Sequence, residues 1–237
     1  MTRAENSSRV EVTFLVSVML FLSWQGWVAG RNGLSDVYAA PAIHYLDGMG
    51  VAGLGLSDVE WQAVFENISR ADELMPGNPS FLDRLGWLEE TRLSRPVDVL
   101  DIDRVDEHAR AAEDYYRSAL AARPTWSDYW GSLARQMHRR GSYETDEYSV
   151  ALANAARFGP WMDDTQQLVA ELGRDTLQFL SASAQREFLL NLERGLSRQP
   201  DTMRSIIRDW DIVCETAIVS DDSLPKLSSY CQRDGND

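Results

Sequence analysis

The chain has 237 residues, a formal net charge of −14 and 44% hydrophobic residues, including eight tryptophans. This composition excludes an intrinsically disordered chain, because it supplies enough apolar surface to bury a core. The negative charge argues against nucleic acid and anionic lipid headgroups as partners, since a basic face is needed to neutralise phosphates. The length fits one domain of roughly 200 residues after an N-terminal apolar segment.

The first element is an apolar segment. Residues 12–29 carry no charge, and as a helix they would span roughly 27 Å, close to a bilayer's hydrocarbon core. We therefore predict a cytoplasmic tip at 1–11 and a transmembrane anchor at 12–30. Arg3 and Arg9 precede the anchor and orient the N-terminus towards the cytoplasm. A cleaved signal peptide and a buried helix of a soluble protein stay open as alternatives.

The predicted setting is a bacterial inner membrane. Lys226 is the one lysine among 23 basic residues, an arginine bias typical of GC-rich bacterial genes. The anchor predicts a single-pass protein with a periplasmic C-terminal domain. Residues 31–56 are predicted to be a linker with a short helix. Their glycine-rich part, residues 48–55, lacks the preceding strand of a nucleotide-binding loop.

Internal repeats are the main signal in the rest of the chain. A tetratricopeptide unit is a pair of antiparallel helices in about 34 residues. Pro76, Pro124 and Pro160 each follow a helical pattern and precede the next one, as prolines that end helices do. After Pro160 the repeat register weakens while the helical period continues.

Small and large residues take the repeat positions on either side of Pro124. The matching positions are Ala112, Tyr116, Ala119, Trp130, Leu133 and Ala134. The sequence predicts an all-α fold, an antiparallel helix-pair (TPR-like) solenoid at 57–198 that follows a single N-terminal transmembrane helix. A loop interrupts it at 94–103, and a C-terminal helical cap and tail covers 199–237.

The cysteines and histidines do not form a metal-binding pattern. Cys214 and Cys231 would form a disulfide in an oxidising compartment and stay inert thiols in the cytosol. His44, His108 and His138 lack metal-ligand spacing. We expect no metal and no cofactor.

No catalytic motif stands out. The acidic run near residues 98–107 lacks the turn glycine of an EF-hand. The adjacent pairs Glu89–Glu90 and Asp163–Asp164 point to different helix faces and are interpreted as surface charge. We expect no enzyme and no small-molecule substrate.

The repeat register predicts a concave face formed by the first helix of each pair, which is the candidate surface for protein partners. The alternative is that these are solvated side chains without a ligand. The predicted face consists of Asp83, Trp87, Glu90, Asp128, Arg135, His138, Gln167, Glu171 and Arg174.

Two short motifs carry a family resemblance. An RPTW motif is followed by a helix that closes in GPW, and the chain from 119 to 169 resembles the VpsP-type polysaccharide biosynthesis proteins. The matching residues are Arg123, Pro124, Trp126, Trp130, Leu133, Ala134, Gly159, Pro160 and Trp161. The chain departs from the pattern at Met162, Asp163 and Asp164 and in the loop at 94–103.

The resemblance implies a non-catalytic accessory of exopolysaccharide or related surface polysaccharide biosynthesis and export. Such a protein acts as a scaffold through contacts with other proteins of the assembly. Two other hypotheses stay open: a TPR-like adaptor for another exported system, such as cytochrome maturation or secretion, and a glycan-active enzyme.

Overall fold

A computed structural model describes residues 3–49, 56–93, 102–208, 214 and 224–234. Every regular element in these ranges is a helix, which confirms the all-α prediction. The chain divides into two compact units, Met1–Phe81 and Leu82–Asp237.

Ten α-helices are described in these ranges, and a 3-10 turn at Leu177–Phe179 follows the seventh. Most of the predicted loop at 94–103 lies outside the described residues. The helices are α1 (Arg3–Met49), α2 (Asp58–Leu74), α3 (Pro79–Arg92), α4 (Ile102–Ala122), α5 (Ser127–Arg139), α6 (Asp146–Phe158), α7 (Asp163–Thr176), α8 (Ala182–Arg198), α9 (Pro200–Ile207) and α10 (Pro225–Asp234).

The first unit is a pair of antiparallel helices. The second half of α1 packs on α2, and later residues of α1 meet earlier residues of α2. Three hydrogen bonds join them: Arg31 Nη2 to Leu74 O at 2.7 Å, Ser35 Oγ to Ala71 O at 2.9 Å and Tyr45 Oη to Glu60 Oε1 at 2.8 Å.

The prediction of a linker at 31–56 differs from the structure. The helix of the apolar segment continues unbroken through Pro41 to Met49. Ala39, Ala42 and Leu46 are buried, and their spacing of three and four residues lines one face of α1. Residues 31–49 are therefore part of the packed helix pair. Residues 50–55, with most of the glycine-rich stretch, lie outside the described residues.

The first half of α1 behaves differently from the second. Its side chains from Val12 to Trp27 are almost all exposed, and Phe14 and Trp27 each expose over 60% of their surface. The helix is long and apolar enough to cross a membrane. The hydrogen bond from Arg31 to Leu74 O on α2 lies close to the predicted end of the anchor.

The second unit contains two layers of helices. One layer holds α3, α5, α7 and α9, and the other holds α4, α6, α8 and α10. Within each layer, side chains connect neighbouring helices. Examples are Arg135 to Glu90 between α3 and α5, Arg174 to Ile206 O between α7 and α9, Arg117 to Glu147 between α4 and α6, and Arg157 to Glu187 between α6 and α8.

Buried residues recur every 36 residues in the second layer. Each set has one member on α4, one on α6 and one on α8, and all nine are at most 1% exposed. This spacing of buried residues continues after Pro160, where the sequence pattern weakens. The sets are Ala112, Tyr148 and Ala184; Tyr116, Leu152 and Phe188; and Ala119, Ala155 and Asn191.

Two glycines allow the layers to approach closely. A Cβ on Gly86 would lie 2.9 Å from Tyr116 Cε1, and a Cβ on Gly173 would lie 2.2 Å from Phe188 Cδ2. Each glycine therefore makes room for a buried aromatic ring of the facing helix.

The C-terminal helix α10 is attached at both ends. The Glu193 carboxylate accepts hydrogen bonds from the backbone N–H groups of Lys226 (2.9 and 3.0 Å) and Leu227 (2.8 Å). A disulfide joins Cys231 on α10 to Cys214. Leu227 is fully buried between these attachments.

We expect Gly173→Ala to lower the free energy of unfolding by about 1–3 kcal/mol, because the new methyl group overlaps the Phe188 ring. The measurement is urea unfolding of the full chain in detergent, followed by tryptophan fluorescence. Gly33→Ala is the control, since no atom lies within 4 Å of its Cβ position. Equal stability of Gly173→Ala and wild type would contradict this packing.

Candidate functional site

The nine residues of the predicted concave face lie on α3, α5 and α7, three on each helix. The structure brings them to one layer, yet several of them are occupied by contacts within the protein. Of the nine, Asp128, Glu171 and Arg174 are exposed, whereas Glu90 is buried. The face therefore has to be divided into side chains that hold helices together and side chains that are accessible.

Glu90 is the centre of the internal contacts. Its carboxylate lies 2.9 Å from Arg135 Nε and 3.1 Å from Arg139 Nη1, and it accepts a hydrogen bond of 3.1 Å from the Tyr116 hydroxyl. Burial lowers the pKa of Arg135, but the nearby Glu90 charge outweighs it and raises the pKa overall. The cluster joins α3, α4 and α5.

The interpretation of Glu89 and Glu90 as surface charge is wrong. Glu89 is 7% and Glu90 8% exposed. Both carboxylates can be buried because residues on neighbouring helices supply groups that pair with them. Glu89 Oε2 lies 2.6 Å from His108 Nδ1 on α4. The other pair, Asp163 and Asp164, is exposed as expected.

Asp83 is the most perturbed carboxyl of this face. Burial raises its pKa to about 6; Arg84 and Arg135 partly oppose the rise, and the charges of Asp128 and Glu90 add to it. In the folded chain, Asp83 therefore keeps its proton to a higher pH than a free aspartate does.

The α7 members of the face also make contacts within the domain. Gln167 Nε2 donates to Gln199 Oε1 at 2.6 Å, and Arg174 Nη1 donates to the carbonyl of Ile206 at 2.8 Å. His138 of α5 lies 4.0 Å from Asp175. Much of the predicted concave face is thus a seam between neighbouring helices.

A second charged network was not predicted from the sequence. Glu113 is 2% exposed and accepts hydrogen bonds of 2.9–3.0 Å from Arg140 and Arg117. Arg117 also pairs with Glu147 on α6, and Arg140 pairs with Asp106 on α4. These bonds raise the pKa of both arginines. The network connects α4, α5 and α6.

The residues that carry the family resemblance meet at two neighbouring loops. The Arg123 guanidinium lies over the Trp126 ring, 5.6 Å from its centre, and Trp130 Nε1 donates to Pro124 O at 2.7 Å. Gly159 is required by the approach of the second loop, since a Cβ there would lie 2.8 Å from Ser127 Cβ. The RPTW and GPW motifs are therefore adjacent in space.

Three large apolar side chains at these loops are exposed: Trp126 (46%), Trp161 (65%) and Met162 (42%). We call them the junction ridge. Ser127 Oγ donates to Met162 Sδ at 3.1 Å, which shows that the two loops touch. The ridge is thus assembled from two touching loops, whose residues are 35 positions apart along the chain.

Two ridge residues occupy helix N-cap positions. Trp126 is the N-cap of α5 and Met162 the N-cap of α7, and neither makes a side-chain capping bond. In contrast, Thr145 and Ser181 cap α6 and α8 with their hydroxyls. A serine or aspartate in place of an apolar N-cap typically adds about 1 kcal/mol of helix stability. The first turns of α5 and α7, beside the exposed ridge, are therefore less stable than they would be with polar N-caps.

We expect Arg135→Ala to lower the free energy of unfolding by about 3 kcal/mol, because Glu90 would keep a buried charge with fewer partners. Arg198→Ala removes an exposed arginine–carboxylate pair with Asp163 and should cost at most about 1 kcal/mol. Chemical unfolding of both variants measures the difference. Equal losses would show that the Glu90 pair contributes no more than a surface pair.

A second prediction concerns pH. Because the pKa of Asp83 is about 6 in the fold against 3.8 for the free side chain, its contribution to stability is complete below pH 4 and lost as the pH rises through 6. Asp83→Asn should remove this decline and raise stability at pH 7.5 by up to about 3 kcal/mol. Unfolding between pH 4 and 8 measures it. A parallel slope in Asp83→Asn and wild type would contradict the assignment.

Among the described residues, no group of three or more His, Cys, Asp or Glu side chains could hold a metal ion. No protein-family model matches this chain, and a search of curated proteins found no significant match. The features of the chain that bear on its function are therefore the ridge, the charged clusters and the helix layers.

Proposed function

We propose that this chain is a non-catalytic, membrane-anchored periplasmic scaffold of surface polysaccharide biosynthesis, which docks other protein components of the assembly through its junction ridge. The observation that carries the docking proposal is the ridge itself. Trp126, Trp161 and Met162 are all exposed at the two touching loops. Two of them, Trp126 and Met162, occupy N-cap positions where a polar residue would give a more stable helix start.

The repeat spacing supports a TPR-like arrangement of the second unit. Buried positions recur every 36 residues on α4, α6 and α8, two residues more than the usual tetratricopeptide period. In the other layer, Leu133 and Val169, like Ala134 and Ala170, are also buried with this spacing. Repeat domains of this kind bind partners over extended surfaces.

The anchor and its orientation rest on three features. The first half of α1 is apolar and exposed. Arg3 and Arg9 lie before the apolar segment, as expected for a cytoplasmic N-terminus. The disulfide between Cys214 and Cys231 favours an oxidising compartment such as the periplasm for the other side.

The polysaccharide setting is supported by the resemblance carried by the RPTW and GPW motifs. These residues lie at or beside the ridge, with Arg123 stacked on Trp126 and Gly159 packed on Ser127. Aromatic side chains with a cation nearby are typical anchors of protein interfaces. Recognition of this surface by partner proteins would therefore explain why the RPTW and GPW motifs lie together.

Deletion of the gene and complementation tests this function. We expect deletion to reduce the amount or chain length of surface polysaccharide, and the wild-type gene to restore it. A Trp161→Ala, Met162→Ser variant should fail to restore it, although the new serine can cap α7 and should not reduce stability. Phe179→Ala, at an exposed aromatic outside the ridge, should restore it.

The outcomes separate the parts of the proposal. Unchanged polysaccharide in the deletion strain would reject the polysaccharide function. Full restoration by the ridge variant would reject the ridge as the docking surface. A photo-crosslinking residue at position 161 should capture a protein of the assembly, whereas one at Val150, exposed on α6, should not.

The periplasmic orientation gives a separate prediction. In intact cells whose envelope thiols are exposed to an alkylating reagent, Cys214 and Cys231 should stay unmodified until a reductant is added, since both sulfurs are in the disulfide. A mass shift on gels reports modification. In a second sample, cells are lysed directly into the reagent without reductant. Modification of both cysteines in that sample would contradict an oxidising location.

A further inference from the structure

The C-terminal end of the second unit contains a cavity of about 640 Å³, lined by residues from the end of α8 and the beginnings of α9 and α10. This volume is in the range of small-ligand sites. Leu196, Pro200, Pro225 and Tyr230 give the lining an apolar part, and two serines complete a mixed surface. The cavity shares no residue with the junction ridge.

Two cationic side chains line the same cavity, Arg204 from α9 and Lys226 from α10. Lys226 is the one lysine of a chain with a net charge of −14. Like charges that face one space repel each other unless an anion lies between them. The presence of two cationic residues in one lining is therefore a specific feature of this cavity in an acidic protein.

Within the described residues, the two cations have few charged partners. The Arg204 guanidinium contacts Asp201 at 3.3 Å through one nitrogen, and Asp201 is almost fully exposed, so this pair contributes little. Arginine has five N–H donors in a planar fork that matches carboxylate and phosphate oxygens. Among the described residues, the Lys226 ammonium has no ion pair, and its backbone N–H is already bonded to Glu193.

The cavity walls are fixed independently of any ligand. Glu193 holds the beginning of α10, the disulfide holds its other end, and the Tyr230 hydroxyl donates to the Ile207 carbonyl at 3.4 Å. Because the first backbone N–H groups of α10 already bind Glu193, the two side-chain cations are the groups available to an anion.

We propose that this cavity binds a small oxyanion, with its carboxylate or phosphate between Arg204 and Lys226 and its body against Tyr230 and the two prolines. A sugar acid and a sugar phosphate share this chemistry, since both join an anionic group to a ring with hydroxyls and an apolar face. This site is independent of the proposed docking through the junction ridge.

The test is isothermal titration of the full chain in an uncharged detergent without a sugar headgroup. The probes are glucuronate, glucose 1-phosphate and, as the neutral control, glucose. We expect at least one of the two anions to bind and glucose not to bind, and the anion that binds more tightly identifies the source. Binding of neither anion, or equal binding of glucose, would overturn the proposal.

Two substitutions and one matched control locate the site. Arg204→Gln and Lys226→Gln should each weaken anion binding by about tenfold or more, because each removes a charge-assisted hydrogen bond. Arg208→Gln changes the net charge equally at an exposed position outside the lining and should bind like wild type. Wild-type affinity in Arg204→Gln and Lys226→Gln, or an equal loss in Arg208→Gln, would refute the assignment to this cavity. Unchanged thermal unfolding checks that all three variants are folded.

Discussion

Burial of two carboxylates, Glu90 and Glu113, is the constraint on which the second unit depends. An isolated buried charge costs several kcal/mol, so each carboxylate requires guanidinium partners at hydrogen-bond distance. Arg135, near the end of α5, and Arg140, directly after it, supply these guanidinium groups. These ion pairs fix the positions of α3 and α4 against α5. The apolar contacts between the layers are compatible with those positions.

This constraint changes the functional interpretation of the concave face. The side chains of Glu90 and Arg135 bind each other, and two of the three α7 members, Gln167 and Arg174, contact residues beyond α7. An accessible apolar surface lies at the loops between helix pairs. The junction ridge there is exposed and leaves two helices without polar caps, a local loss of stability that docking would explain.

Several features of the fold could be predicted from the sequence because their causes are local. Prolines end helices whatever surrounds them, so Pro76, Pro124 and Pro160 mark real helix junctions. The uncharged run at 12–29 indicates a helix able to cross a membrane for the same reason. The two cysteines leave a disulfide and free thiols open, and the structure has the disulfide.

Other features depend on partners that are distant along the chain. Nothing near Glu90 reveals that Arg135, 45 residues later, will lie against it, so its burial could not be inferred. After Pro160 the register is hidden, because Asn191 takes a position that alanine holds elsewhere. The cavity between Arg204 and Lys226 forms only when α9 and α10 come together.

The central claim, that the Glu90 cluster joins α3 to α5, is tested most directly by a double-mutant cycle with Glu90→Gln and Arg135→Met. Unfolding free energies of the full chain, the two single variants and the double variant give the coupling energy. We predict a coupling of about 2–3 kcal/mol, the upper part of the range for residues in one charged network. Additive effects, with a coupling near zero, would contradict the claim.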